Sequence, residues 1–370
     1  MIRPADRKPD LVMATIKEYF QTAQREKATD IYFSVGSPPF LKINGGLHPL
    51  KGHPNLNKAK IDELAREVLS PRDLSEFESR REVISACTID GLGRLRVILS
   101  DESRGLCLAC RLLPLDIPAF DGLGLPSFLK KMVSSGTGLI LIMGRANSGK
   151  TTTLASLIQH INNTSEKSIL TMEVPMEYEH ENNRSFMEQM RLPGNGTLLN
   201  KRTYSNLLKT ADVMVMDGLP LEETMTPALN AAAEGLLVLA TLETNGGVAE
   251  VLTRIVHNAS ANKRESGRKL LAHTLRCAIW QHLLPLKNGS GFTPAVEILI
   301  NDPVVSRLIS QEGSLHLLRP TMAAGRYKGM QTMHQALEAL KQRSLVHKDI
   351  LAAFENEILR YYVSPINGSF

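Results

Sequence analysis

The sequence predicts an α/β protein whose main domain is a mostly parallel sheet wrapped by helices. Four short apolar runs, each typical of a buried strand, alternate with helical segments and lie at 139–143, 168–172, 213–216 and 236–240. A glycine-rich loop at 144–151 joins the first run to a helix, because Leu154, Leu157, Ile158 and Ile161 follow it at helical spacing. With 370 residues and 43% apolar content, the chain is long enough for two cored domains.

An α+β domain is predicted over residues 1–114, before this sheet. Its opening amphipathic helix is marked by Val12, Ile16, Tyr19 and Phe20. The elements that follow are strands at 31–35 and 40–43, a hairpin turn at Asn44-Gly45 leading into 47–50, a helix from Lys58 capped by Asn57, and strands at 83–89, 94–99 and 106–112.

Residues 115–126 are rich in proline and glycine and are predicted to link the two domains. The sheet domain then spans 127–300, and a helical C-terminal region spans 301–370. The residues that indicate helices recur at i, i+3 and i+4 and are Ala336, Leu337 and Leu340, then Ile350, Leu351, Phe354 and Ile358. We therefore expect the last ~90 residues to be largely helical.

Charge and hydropathy argue against a nucleic-acid or membrane-spanning protein. The net charge of +5 is modest, and the basic cluster of Lys263, Arg264, Arg268 and Lys269 is typical of a solvated helix face. Aromatic residues do not interleave with the basic ones, as stacking on single strands would require. No apolar run approaches the ~20 residues that cross a bilayer, and no signal-peptide core follows the N-terminus. We expect a cytoplasmic protein without a membrane span.

The four cysteines do not predict a metal site. Cys107 and Cys110 form a C-x-x-C pair, but residues 106–110 have the pattern of a strand. Residues three apart on a strand point to opposite faces, so the two thiols cannot share one zinc ion. Cys87 and Cys277 show no partner spacing.

The loop at 144–151 (GRANSGKT) fits the phosphate-binding pattern G-x-x-x-x-G-K-[ST]. Its place between a buried strand and a helix N-terminus is the context that this pattern requires, because N–H groups and the helix dipole converge there on an anion. The alternative, an ordinary glycine-rich turn, does not account for that context. Lys150 would reach the β- and γ-phosphates of ATP and Thr151 would ligate Mg²⁺. The residues expected to bind the nucleotide are Gly144, Ser148, Gly149, Lys150, Thr151 and Thr152.

Carboxylates stand where neighbouring parallel strands end. Glu173 follows the second strand and Asp217 the third, and residues 241–244 (TLET) follow the fourth. In open α/β sheets, ligands bind at the carboxyl ends of the strands. We therefore expect these residues near the phosphate loop.

Several stretches resemble the type IV pilus retraction (twitching-motility) ATPases of the PilT/PilU kind, within the larger family of secretion ATPases. They are 28–39 (ATDIYFSVGSPP), like that family's "ASDLHLSxGxPP"; the arginine-bearing runs 94–97, 104–105 and 110–112; 170–178 (LTMEVPMEY), like its acidic Asp box; and 329–332 (GMQT). The similarity runs from about residue 27 to residue 350.

The resemblance implies hexameric rings of two-domain subunits, with a PAS-like N-terminal domain and a RecA-like core between which ATP binds. It also implies that Arg96, Arg104 and Arg111 point at a nucleotide, either in the same subunit or across a subunit boundary. Guanidinium groups suit this role because they neutralise charge on a transferring phosphoryl group. The alternative is that these arginines pair with acids at the strand edges.

The hydrolytic motifs depart from the family's pattern. Where the family's Asp box has its aspartate this chain has Val174, where its Walker B strand has glutamate this chain has Gly218, and where its His box has histidine this chain has Glu243. The stretch 304–309 (VVSRLI) lacks the arginine of the "AIRNLI" helix in register. Without the Walker B glutamate, no general base is left at that position to activate the attacking water. The loss of a general base typically lowers the rate of hydrolysis by a factor of ~10² to 10⁴. Asp217 can still hold Mg²⁺, and Glu173 or Glu177 are candidate substitute bases.

We therefore expect an ATP-binding accessory or regulatory ring subunit of the pilus machine with weak hydrolysis. It would assemble with itself or a related retraction ATPase and contact the inner-membrane pilus platform protein from the cytoplasm. The alternatives are an active retraction motor that uses Glu173 or Glu177, a secretion or conjugation ATPase, and a nucleic-acid motor. On the sequence alone, Gly218→Glu is expected to raise turnover if the site is degenerate.

Overall fold

The computed structural model describes residues 14–43, 45–134, 136–192, 208–258, 264–289 and 291–363, with side chains to 359. The chain divides into two compact units. One comprises Met1–Asp116 with Pro175–Tyr178, and the other comprises Ile117–Val174 with Glu179–Phe370. Val12, Asn44 and Lys263, named above, lie outside the described residues.

The first unit is an antiparallel sheet packed against helices. Its elements are α1 (Ile16–Arg25), β1 (Asp30–Ser34), β2 (Phe40–Ile43), β3 (Gly46–Pro49), α2 (Lys58–Val68), α3 (Pro71–Arg80), β4 (Glu82–Ile89), β5 (Gly93–Glu102) and β6 (Gly105–Leu113). The strand order among the described residues is β3-β2-β1-β6-β5-β4. Asn57 caps α2 as predicted, since its side chain accepts a hydrogen bond from the Lys60 N–H at 2.8 Å. The sequence analysis missed α3, which begins with a capping box between Ser70 and Asp73.

Strand β6 has the two-residue periodicity predicted for the segment around Cys107 and Cys110. Buried and half-buried residues alternate along it, so Cys110 lies in the core while Cys107 lies on the other face. No group of His, Cys, Asp or Glu that could hold a metal ion occurs among the described residues.

The second unit contains a seven-stranded sheet in the described part of the chain. Its elements are α4 (Phe128–Ser134), β7 (Gly138–Gly144), α5 (Lys150–Thr164), β8 (Ser168–Glu173), β9 (Phe186–Arg191), β10 (Val213–Asp217), α6 (Leu221–Ala233), β11 (Leu237–Glu243), α7 (Val248–Asn258), α8 (Arg264–Thr274), β12 (Leu275–Pro285), β13 (Phe292–Ile300), α9 (Pro303–Ser310), α10 (Leu318–Ala324), α11 (Met333–Gln342) and α12 (Lys348–Val363). The order is β13-β12-β7-β11-β10-β8-β9, and the pairs are parallel except β12 with β13. The mostly parallel sheet is as predicted.

The C-terminal region from residue 301 is helical as predicted, and within the last ~90 residues only the end of β12 and β13 are strands among the described residues, paired as an antiparallel hairpin. Strand β9 was missed, since its Met, Glu and Gln residues give no strong apolar run. Within the predicted linker, Phe120 and Leu125 are buried in the core of the second unit.

The C-terminal helices pack onto the same core as the sheet. The stretch 329–332 attaches them, because the Gln331 backbone exchanges two hydrogen bonds with Ile298 on β13 and Thr332 caps α11. Glu297, fully buried on β13, accepts hydrogen bonds from the Val248 N–H at the start of α7 (2.8 Å) and from the Met333 N–H at the start of α11 (3.3 Å). No helix in the described ranges is both long enough and apolar enough to span a bilayer.

Candidate nucleotide-binding site

The glycine-rich loop connects β7, buried along its whole length, to the start of α5 at Lys150. Gly149 is the N-cap of α5 with φ +85°, and no side chain of the described residues caps the helix. Gly144 has φ +156°, and a Cβ there would collide with the Gln281 carbonyl oxygen and the Ser148 hydroxyl. Both glycines are therefore required by the backbone conformation and by close packing.

The polar groups of this loop fit an anion. The N–H groups of the first turn of α5 face the loop, as at any helix N-terminus. The Ser148 hydroxyl is buried without a hydrogen-bond partner among the described residues. The Lys150 ammonium donates to the carbonyl oxygen of Arg145 at 2.8 Å, inside the loop itself. A phosphate chain would accept hydrogen bonds from the N–H groups of this turn and from the Ser148 hydroxyl, and its charge would attract the Lys150 ammonium.

The predicted carboxylates meet at one edge of the sheet. Asp217 ends β10 directly beside Glu173, which ends β8, and both are almost fully buried. The Thr241 hydroxyl donates to Asp217. Glu173 accepts hydrogen bonds from Thr171 Oγ1 at 2.6 Å and from Gln189 Nε2 at 3.3 Å.

Glu243 lies at the end of β11 beside Gly144, the first residue of the loop, and is exposed. The Thr244 N–H donates to the Gly144 carbonyl at 3.1 Å, which fixes the end of β11 against the loop. The fourth strand end therefore places a negative charge next to the glycine-rich loop.

Val174 and Gly218, which replace two carboxylates of the resembled family, are in contact. The Val174 N–H donates to the Asp217 carbonyl at 3.0 Å. Gly218 has φ +73°, and a Cβ at this position would lie well inside 3.0 Å of the Val174 carbonyl oxygen, closer than real Cβ atoms come. No side chain fits at residue 218 without a shift of the backbone.

The candidate arginines and Glu177 belong to the first unit. Arg96 on β5 pairs with Glu177 at 3.2 Å, and the neighbouring Arg94 donates to the Glu177 carbonyl at 2.7 Å. Arg111 on β6 pairs with Asp30 at 2.8 Å. Arg104 is exposed in the turn between β5 and β6, where no other described residue forms an ion pair or hydrogen bond with it. Among these side chains, Arg104 is the guanidinium that remains available to an anion.

Sequence reasoning missed the support that β12 gives to the loop. Gln281 contacts both the loop and α5. The His282 ring packs edge to face against Trp280 and at a tilt against Phe354, with ring centroids 4.7 and 4.6 Å away. Burial, together with the charges of Arg145 and Lys150, lowers the pKa of His282 to about 4. The sequence feature that could have indicated this support is the polar pair Gln281-His282 within a largely apolar strand of eleven residues, because buried polar side chains need hydrogen-bond partners.

Comparison with known proteins identifies the family of this fold. The family described as "Type II/IV secretion system protein" matches residues 123–353. The chain belongs to this family. It is 30% identical to the type IV pilus ATPase PilU of Pseudomonas aeruginosa, over 88% of this chain and 84% of PilU. It is 28% identical to the retraction ATPase PilT of the same organism, over 90% of this chain and 96% of PilT.

A crystal structure of the pilus retraction motor PilT with bound ADP superposes with a TM-score of 0.78 and 31% identity, covering 92% of this chain and 96% of that one. The Legionella pneumophila ATPase DotB shares the fold, with a TM-score of 0.75 and 22% identity. The resemblance to the pilus retraction ATPases is confirmed. So is the fold class, a RecA-like core with an N-terminal α+β domain and a helical C-terminal region.

Proposed function

We propose that this member of the secretion ATPase family is a type IV pilus retraction subunit that binds Mg-ATP and hydrolyses it weakly. It would act as an accessory or regulatory subunit in a hexameric ring, formed with itself or with a related retraction ATPase. The observation that carries the proposal is the contact between Gly218 and Val174, which leaves no room for the missing Walker B carboxylate beside an intact phosphate loop.

The loop residues have the chemistry to hold the nucleotide. Gly144, Ser148 and Gly149 would surround the phosphates, while Lys150, Thr151 and Thr152 at the start of α5 would contact them. Thr151 and Asp217 would hold Mg²⁺, whose charge offsets that of the phosphate oxygens. The hydrogen bond from Thr241 keeps the Asp217 carboxylate oriented and leaves it able to bind a cation.

The candidate bases are poorly suited to replace a Walker B glutamate. Glu173 accepts hydrogen bonds from the Thr171 and Gln189 side chains, and these contacts hold its carboxylate in place instead of leaving it free to turn towards a water molecule. Glu177 is engaged by Arg96. Binding without turnover is still useful, because a nucleotide that binds only the assembled state stabilises assembly by linkage.

Within a ring, Arg104 would contact the nucleotide phosphates, since its exposed guanidinium is not paired to a described residue. The roles of Arg96 and Arg111 would require their ion pairs with Glu177 and Asp30 to open. Through the ring the protein would work in the cytoplasm, at the inner face of the cell membrane, against the inner-membrane pilus platform protein.

The proposal is tested with the purified full chain by ADP and ATP binding and by phosphate release with Mg²⁺. We expect measurable binding that Lys150→Ala abolishes, and turnover at least ~10²-fold below that of a full-motif relative measured alongside. Glu173→Gln should leave this turnover unchanged. Brisk hydrolysis that Glu173→Gln abolishes would instead establish an active motor, and no nucleotide binding at all would refute the proposal.

Restoring the missing glutamate is not an adequate test, which corrects the expectation drawn from the sequence. Gly218→Glu would place a side chain against the Val174 carbonyl at a positive φ. We expect this variant to be destabilised rather than activated.

A further inference from the structure

We infer that Gln281 is a positioning residue of the phosphate loop, and that its side-chain amide holds the Ser148-Gly149 peptide in the orientation that binds an anion. Gln281 lies on β12 and is 2% exposed. Its Nε2 donates to the Ser148 carbonyl at 2.8 Å, and its Oε1 accepts from Thr153 Oγ1 at 3.0 Å. The inference rests on the proposed nucleotide binding.

The Ser148 carbonyl matters because of the planar trans geometry of the peptide bond. In that geometry the C=O of Ser148 and the N–H of Gly149 point in opposite directions. A carbonyl fixed towards β12 therefore commits the Gly149 N–H to the opposite side, where no described residue accepts a hydrogen bond from it. Successive N–H groups turned to one side form an anion-binding concavity.

Rotation of this peptide would reverse its effect on the ligand. Gly149, at φ +85°, lacks the Cβ that restricts rotation in other residues. A flipped peptide would direct the partial negative charge of the Ser148 carbonyl towards the phosphates. Gln281 opposes the flip from one side, and Thr153 on α5 fixes the amide of Gln281 in turn. The amide thus ties the loop, the helix and β12 into one arrangement.

The test is the affinity of the full chain for ADP with Mg²⁺, measured by calorimetric titration alongside the melting temperature without nucleotide. Gln281→Met removes both hydrogen bonds at similar volume, and we expect ADP affinity to fall about tenfold. Thr153→Val removes the hydrogen bond that fixes the Gln281 amide but keeps the one from Gln281 to Ser148, so ADP affinity should fall less than in Gln281→Met, by about two- to threefold. Asn162→Ala, which removes another buried amide of α5 at its far end, should lower the melting temperature without weakening ADP binding.

Gln281→Glu separates the hydrogen bond from the packing. A buried carboxyl has a raised pKa, and only its protonated form can donate to the Ser148 carbonyl. The affinity of this variant for ADP should rise as the pH falls. The ADP affinity of Gln281→Met should not show this rise, because methionine has no titrating group. If the wild type binds ADP and Gln281→Met binds it equally tightly, the inference about Gln281 is wrong while the proposed function stands. The same holds if the two variants show identical dependence of ADP affinity on pH. A wild type that does not bind ADP would overturn it together with the proposed function.

Discussion

Gly218→Ala tests whether residue 218 can carry any side chain. Two costs are expected. The positive φ of +73° disfavours an L-residue by about 1–2 kcal/mol, and the overlap of the new Cβ with the Val174 carbonyl forces a backbone shift worth about 1–3 kcal/mol. We therefore expect the free energy of unfolding to fall by about 2–5 kcal/mol.

Gly313→Ala is the matched control. Gly313 has φ +76° in the same unit, but nothing lies within 4 Å of the position that its Cβ would take. Both substitutions lower the conformational entropy of the unfolded chain equally. The difference between their losses in free energy of unfolding therefore measures the overlap with Val174. In denaturant unfolding, the free energy of unfolding should fall by about 1–3 kcal/mol more for Gly218→Ala than for Gly313→Ala. Equal losses would refute the claim that Val174 excludes a side chain at residue 218.

Three further predictions concern residues around the site. Burial lowers the pKa of His282 to about 4, so between pH 6.5 and 4 the unfolded chain binds a proton that the folded chain does not. Stability should then fall as the pH drops through this window, by about 3 kcal/mol from this group, and His282→Leu should reduce the slope in urea titrations at several pH values. Glu243→Gln removes a charge beside Gly144 and should tighten ATP binding more than ADP binding in titrations at low salt; an equal effect on both would contradict repulsion of the terminal phosphate. Thr332→Ala removes the cap of α11 and should cost about 1 kcal/mol in denaturant unfolding, whereas Thr332→Ser should cost little.

The sequence contained the features that act locally. The strand–loop–helix junction at 144–151, the cap at Asn57 and the buried parallel strands each follow from a few adjacent residues, and the structure has them where predicted. The opposite faces of Cys107 and Cys110 follow from strand periodicity alone. Short-range patterns of this kind need no knowledge of the tertiary fold.

What the sequence could not give depends on residues that meet across long separations. Val174 and Gly218 are separated by more than forty positions in the sequence, but they lie in contact because β8 and β10 are neighbours in the sheet. Gln281 is more than a hundred positions from the loop that it supports, and β12 has the composition of either a buried helix or a strand. Strand β9 forms at the sheet edge through pairing with β8, which outweighs its weak intrinsic propensity.

The shared carboxylate of Glu297 has a consequence for how the second unit opens. Its two oxygens accept hydrogen bonds from the first residues of α7 and α11, which are far apart in the chain. Melting of either helix would leave a buried acceptor without its donor, and that loss raises the energy of any state in which only one helix is open. The two helices should therefore exchange their amide hydrogens in a single cooperative event rather than fray one at a time.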